Sequence, residues 1–212
     1  KGTFKKYTKK YKKSQNQYMN REKALKIILD NLDDQDLIVS TTGKTSREIY
    51  EIREKGHKSH QQEFLTVGSM GHCSSIALGI ALAKPNRKVI CIDGDGAMLM
   101  HLGSLTSIAS LKPKNFYHIL MNNEAHESVG GQDTAAKNIS LSAVVKAMGA
   151  SKIFKAKSSV ELKEVFTGFI TCTGPSFLEV KIKSSSREDL GRPTETPIKN
   201  KELFMSFIKD AS

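Results

Sequence analysis

The sequence predicts an α/β fold: a doubly wound, mostly parallel sheet with helices on both faces. Two observations predict it. Short apolar, β-branched runs alternate along the chain with stretches whose apolar residues recur every three or four positions, the periods of buried strands and amphipathic helices. Glycines and small polar residues collect just past several of the runs, where an open parallel sheet turns from strand to helix. With 212 residues, the chain can bury one good α/β core and has no room for a second full domain.

The elements follow in order. A helix initiates at Asn20, with Ala24, Ile27, Ile28 and Leu29 as its apolar face. Residues 37–40 (LIVS) read as a strand running into TTGKTSRE (41–48). Small hydroxyls and a glycine at a strand end, before a helix, suit an oxyanion as well as a capped helix start. Lys44 adds a point charge that suits a phosphonate or sulfonate, and the Walker A pattern is absent. VGSMG (67–71) precedes a small-residue helix over 72–83. Residues 88–93 (KVICID) form a buried strand ending in Gly94-Asp95-Gly96. Met98, Leu102, Leu105, Ile108 and Ala109 then predict one amphipathic helix over 97–111, stopped at Lys112-Pro113. Residues 116–121 (FYHILM) form the next strand, with Asn122-Asn123 just beyond it. A polar, glycine-containing loop (HESVGGQDT, 126–134) leads into a helix over 141–148, a short strand over 152–154, a helix over 160–172, a strand over 177–182 and a closing helix over 202–208. Arg187 and Arg192 are candidates for clamping an anion or an adjacent subunit.

The most informative spacing is Gly94-Asp95-Gly96 followed, after 25 residues, by Asn122-Asn123. Parallel strands joined by a helix bring both C-terminal ends to one edge of the sheet. There an acid and an amide can grip one Mg²⁺, an ion that wants six hard oxygens and takes several of them from phosphates. Asp95 would supply a carboxylate, Asn123 an amide oxygen and Ala125 a backbone carbonyl, while the amides at the helix start after Gly96 favour a phosphate. Taken alone, Gly-Asp-Gly is equally a tight turn.

These motifs resemble the signature of thiamine diphosphate (TPP) enzymes. STTGKTSRE (40–48), FLTVGSMGH (64–72), IDGDGAMLMHLGSL (92–105), NNEAHESVGGQDT (122–134) and REDLGRPTETP (187–197) look like the phosphonopyruvate decarboxylase family, with the sulfopyruvate decarboxylase β-subunit as a near relative. The resemblance covers nearly the whole chain from about residue 20 onward. It implies a TPP- and Mg²⁺-dependent decarboxylase turning the 2-oxo acid phosphonopyruvate into phosphonoacetaldehyde and CO₂. It implies that Met70 props the cofactor into its bent form and that the Gly68 carbonyl accepts a hydrogen bond from the cofactor's amino group. Thr42, Gly43, Ser69, Gly94, Gly96 and Ala97 would contact the cofactor; Ala97 stands where many TPP enzymes have serine. His126 and Glu127 would lie over the diphosphate or the substrate as candidate catalytic groups. The family also has a pyrimidine-binding domain that carries the activating glutamate, fused N-terminally or as a separate subunit, and the sites form between subunits of a dimer or higher homo-oligomer. Sulfopyruvate decarboxylase and a carboligating TPP-dependent synthase are the alternatives.

Charge separates the chain into two parts. Residues 1–26 hold ten Lys/Arg against one acid, leaving the remaining 186 residues near neutral. Residues 1–19 read as a basic interdomain linker ahead of a TPP diphosphate- and Mg²⁺-binding domain over 20–212. The chain opens on Lys-Gly-Thr, as though cut from a longer polypeptide. A basic nucleic-acid-binding arm on a non-enzymatic interaction module is the competing reading, and it predicts salt-sensitive binding. Without an 18-residue apolar run, a signal-peptide pattern or a Cys-x-x-Cys pair, the expectation is a cytoplasmic protein with no membrane span and with reduced thiols at Cys73, Cys91 and Cys172.

Overall fold

The computed structural model describes residues 17–210. Six strands, β1 (Leu37–Ser40), β2 (Glu63–Leu65), β3 (Val89–Gly94), β4 (Phe116–Asn122), β5 (Lys152–Ala156) and β6 (Ser176–Lys181), form one sheet in the order β2-β1-β3-β4-β6-β5. Every pairing is parallel. β3 and β4 lie at the centre, and every residue of β4 is buried. That is why both read as near-continuous apolar runs rather than alternating ones.

Helices cover both faces. α1 (Arg21–Leu29), α2 (Lys44–Lys55) and α7 (Ser159–Thr171) pack Leu25, Ile28, Ile49, Leu162, Phe166 and Phe169 against one side. The other side carries α3 (Cys73–Ala83), α5 (Ser104–Leu111), α6 (Leu141–Ala147) and α8 (Pro197–Asp210), through Ala77, Ile108, Leu141 and Phe204. From β1 the chain crosses through α2 to β2 on one side, then through α3 to β3 on the other. The connections diverge between β1 and β3, the topological switch point where open α/β sheets place ligands.

The start of α1 is read from local chemistry: the Asn20 side chain accepts the Lys23 N–H at 2.9 Å, an N-cap. Just before it, the Met19 carbonyl accepts the Lys183 N–H at 3.0 Å. The basic segment expected over residues 1–19 falls mostly outside the described residues.

Two expectations are corrected, and one strand appears that none foresaw. The helix expected over 97–111 is two, α4 (Asp95–Met100) and α5, because the chain leaves helical geometry at His101 (φ −130°, ψ 43°). His101 packs against His72 with ring centroids 4.0 Å apart and its Nδ1 fills the space a side chain on Gly71 would occupy, so tertiary packing overrides the apolar period. β2 carries no periodic signal in three residues and exists through its pairing with Ile38, Val39 and Ser40 of β1. α8 begins at Pro197 rather than at 202. Proline suits a first helical position, and the preceding Thr196 caps it by accepting the Lys199 N–H at 3.1 Å.

Candidate functional site

The ends of β1, β3 and β4 and the loops after them line one cleft. Its walls include Arg21, Thr41, Thr42, Lys44, Met70, Gly94, Asp95, Gly96, Ala97, Asn123, Ala125, His126 and Glu127, all but Arg21 and Thr41 singled out by the sequence. Register explains the meeting. Gly94 lies opposite Met121, so Asp95 and Asn123 emerge side by side from neighbouring strands.

Asp95 opens α4 and is 2% exposed. Its Oδ1 accepts the Asn123 N–H at 3.4 Å, and its Oδ2 accepts the Thr134 hydroxyl. Burial raises its pKa to about 6, and the Thr134 and Asn123 hydrogen bonds only partly offset this. No basic side chain among the described residues forms an ion pair with it. The Asn123 amide oxygen is turned toward the Ala125 N–H at 3.1 Å. Asp95 and Asn123 thus bring oxygen donors to one wall, which Ala125 also lines, and the buried carboxylate has no ion-pair partner among the described residues. The Thr41 hydroxyl, also buried on this wall, has no hydrogen-bond partner among the described residues. An all-oxygen donor set with an uncompensated carboxylate suits Mg²⁺, which completes its shell with phosphate oxygens.

Gly96 has a steric reason to be glycine. A Cβ there would lie 2.6 Å from the His126 ring and 3.3 Å from Thr134 Cγ2. His126 sits at the base of a loop closed by its own backbone: His126 N–H to the Gln132 carbonyl at 2.8 Å, Gly131 N–H to the His126 carbonyl at 2.8 Å, and Thr134 N–H to the Glu124 carbonyl at 3.0 Å. The loop therefore caps the start of α4 as one unit.

Glu127 is placed differently from a free acid. Its carboxylate accepts from Arg21 Nη1 at 2.9 Å, Lys44 Nζ at 3.2 Å and Asn123 Nδ2 at 3.0 Å. Burial pushes its pKa up, but Arg21 and Lys44 outweigh that and hold it below the ordinary glutamate value. Arg21 also grips Glu48 through two bonds of 2.8 and 2.9 Å. Lys44 donates to Ser186 Oγ at 2.5 Å. Two cations thus stand at the cleft, each shared with a carboxylate.

Other expected residues lie beside the cleft. Gly43 precedes α2 at φ +103°, a conformation open to glycine, and lines a neighbouring hollow of about 430 Å³ together with Thr42, Lys44 and the exposed Arg192. Gly68 and Ser69 sit on an exposed turn, both with positive φ, and the Gly68 N–H donates to Thr42 Oγ1 at 3.1 Å. This turn presents the half-buried Met70 to the cleft. Arg187 is not a free clamp: Glu22, Glu51 and Asp189 hold it, strapping the segment before α8 onto α1 and α2. Sequence reading missed Arg21, and it placed Thr41 and Thr134 within their motifs without a role of their own. Arg21 lies 106 positions from Glu127, and no local pattern marks it.

The family model for the thiamine pyrophosphate enzyme C-terminal TPP binding domain matches residues 41–180. Phosphonopyruvate decarboxylase of Streptomyces viridochromogenes is 36% identical over 185 residues, covering 87% of this chain and 45% of that protein. Sulfopyruvate decarboxylase subunit beta of Methanothermobacter thermautotrophicus is 35% identical over 195 residues, covering 91% of this chain and 95% of that subunit. A solved structure described as a thiamin diphosphate-dependent enzyme of Mycobacterium smegmatis shares the fold, with a TM-score of 0.65 at 18% identity over 78% of this chain and 32% of that one. The chain spans less than half the length of the phosphonopyruvate decarboxylases it matches.

Proposed function

Because the chain belongs to the thiamine pyrophosphate enzymes, through their C-terminal TPP-binding domain, we propose that it is the metal- and diphosphate-binding part of a decarboxylase acting on phosphonopyruvate. The observation that carries this reading is the meeting of Asp95 and Asn123 at the ends of adjacent strands, in a chain similar to phosphonopyruvate decarboxylase over 87% of its length.

In this reading residues 20–212 form the binding domain and residues 1–19 its basic linker. Asp95, Asn123 and the Ala125 carbonyl would hold Mg²⁺. Thr42, Gly43 and the backbone of Gly94, Gly96 and Ala97 receive the diphosphate, with the charge of Arg21 and Lys44 beside it. Met70 would brace the cofactor, and Gly68 and Ser69 shape the turn that presents it. His126 and Glu127 close over the diphosphate; Glu127 is kept ionised, so its part is to orient the two cations and the Asn123 amide rather than to give up a proton. When bound, TPP supplies the electron sink through which a 2-oxo acid loses CO₂. The chain's own contribution is a clamp, an enforced orientation and a loop that excludes water.

The partner in this reading is a pyrimidine-binding domain, fused or separate, within a dimer or higher assembly. Relatives named as subunit beta of sulfopyruvate decarboxylase favour a separate subunit. They also support a second substrate reading, since the chain covers 95% of one of them. No helix among the described residues is long and apolar enough to cross a membrane, and no disulfide joins the three cysteines, which fits a cytoplasmic enzyme. Calorimetry with TPP and Mg²⁺ on the protein paired with its pyrimidine-binding half should show binding that Asp95→Ala abolishes. Undiminished binding in that variant sinks the site. Assaying CO₂ release from phosphonopyruvate and sulfopyruvate side by side decides the substrate.

A further inference from the structure

A second cluster of ligating side chains lies inside the molecule, on the face of the sheet beneath α3. Cys91 and His118 are directly opposite one another on β3 and β4. Asp93 is two residues beyond Cys91 on the same strand, so its side chain points to the same face. Cys73, the first residue of α3, comes down onto that face from above. The two sulfurs are 3.3 Å apart, the ligand atoms of Cys73, Cys91 and Asp93 lie within 4.8 Å of one another, and His118 Nε2 is 3.6 Å from Asp93 Oδ2. None of the four residues is more than 2% exposed.

We propose that Cys73, Cys91, Asp93 and His118 form a closed tetrahedral site for a zinc-class divalent cation, separate from the Mg²⁺ cleft. Asp93 Oδ2 and His118 Nε2 are buried, and neither has a hydrogen-bond partner among the described residues, an arrangement proteins avoid unless something else satisfies such atoms. A single ion meets both needs. Zinc bonds of about 2.3 Å to sulfur and 2.0 Å to nitrogen or oxygen set tetrahedral ligands roughly 3.3–3.8 Å apart; the sulfurs stand at 3.3 Å and Asp93 and His118 at 3.6 Å, while Cys73, Cys91 and Asp93 spread over as much as 4.8 Å, so the ligands draw in around the ion. Thiolate and imidazole donors select a zinc-class ion and leave magnesium to the all-oxygen cleft.

The outer contacts agree. Asp93 Oδ1 accepts the Gly94 N–H at 2.8 Å, which fixes the carboxylate and leaves Oδ2 for the ion. The His118 ring is held edge-on between Phe177 and Phe116, with centroids at 5.4 and 6.1 Å. A Cys73–Cys91 disulfide would account for two of the four groups and leave Asp93 Oδ2 and His118 Nε2 with only each other, at 3.6 Å. With four protein ligands and no open position the site is structural, and so buried a site takes its ion as the chain folds. It would tie the start of α3, just after Met70, to the two strands that end in Asp95 and Asn123.

The test uses the full chain. Metal analysis of protein purified without chelator should find about one zinc per chain. Unfolding in chelator and refolding with cobalt(II) as the probe should produce a thiolate-to-cobalt charge-transfer band. Cys91→Ala and His118→Ala should lower cobalt affinity by roughly tenfold or more, with circular dichroism reporting whether each folds. The wild-type cobalt spectrum stands independently of those variants. The proposal is overturned by wild-type protein that refolds without taking up cobalt, by a spectrum the folded variants leave unchanged, or by a Cys73–Cys91 disulfide in the mass spectrum of the unreduced protein.

Discussion

Asp95 shows how burial turns an ordinary acid into a binding group. Enclosed by Thr134, Asn123 and the base of the 126–134 loop, it forms no ion pair among the described residues, so a cation gains what burial has cost it. Gly96, its neighbour, is the most constrained residue of the wall. In Gly96→Ala the new methyl would meet the His126 ring, and overpacking of this kind costs about 1–3 kcal/mol. Helix propensity returns about 1 kcal/mol, so a small change in denaturation midpoint is expected. The loop over the site must move, however, and TPP–Mg²⁺ affinity by calorimetry should fall by about tenfold or more, a loss of about 1.4 kcal/mol. Unchanged affinity would show that the loop does not shape the site. Gly94 and Gly96 were legible from sequence because the tight turn is local; the ring that makes Gly96 obligatory lies thirty residues downstream.

Among the elements, the join between α2 and β2 carries a titratable core. His60 sits between Glu63 Oε1 at 2.5 Å and Glu54 Oε2 at 2.7 Å, stacked on Tyr50 at 4.0 Å, while Arg53 pairs with Glu63 from the other side. Burial favours the neutral ring, but Glu63 and Glu54 outweigh it and raise the His60 pKa above the ordinary histidine value. Glu63 is itself raised, because burial exceeds the pull of its partners His60 and Arg53. The folded state therefore keeps a His60 proton that the unfolded chain releases near about pH 6.5. This contribution is complete below that pH and is lost as pH rises through the higher folded value. The urea midpoint should fall as pH rises above about 6.5, and His60→Gln should flatten that dependence. An identical slope in the variant would place the effect elsewhere. Nothing in residues 60–65 announces this join, since it depends on side chains from α2 meeting an edge strand three residues long.

At the scale of the whole molecule, Arg21 joins α1, α2 and the loop after β4 through Glu48 and Glu127. Removing one partner of a buried network leaves uncompensated charge, at a cost of about 3–5 kcal/mol. Arg21→Ala should lose that much in denaturant unfolding and should also free Glu127 within the cleft. A loss below about 1 kcal/mol would show the network to be solvated, as surface pairs are. By itself the sequence determined the alternation of strands and helices, the parallel sheet, the caps at Asn20 and the spacing that aligns Asp95 with Asn123. Those features rest on periodicity and turn chemistry carried by neighbouring residues, which act before any distant part of the chain arrives. Only the tertiary structure decided the break between α4 and α5, the strand β2, the capture of Arg187, the hold of Arg21 on Glu127 and the convergence of Cys73, Cys91, Asp93 and His118. Each of these depends on groups far apart in the chain meeting; where they meet in a dry interior, as at Arg21 and the Cys73 cluster, an unsatisfied charge or polar atom costs far more than it does in water.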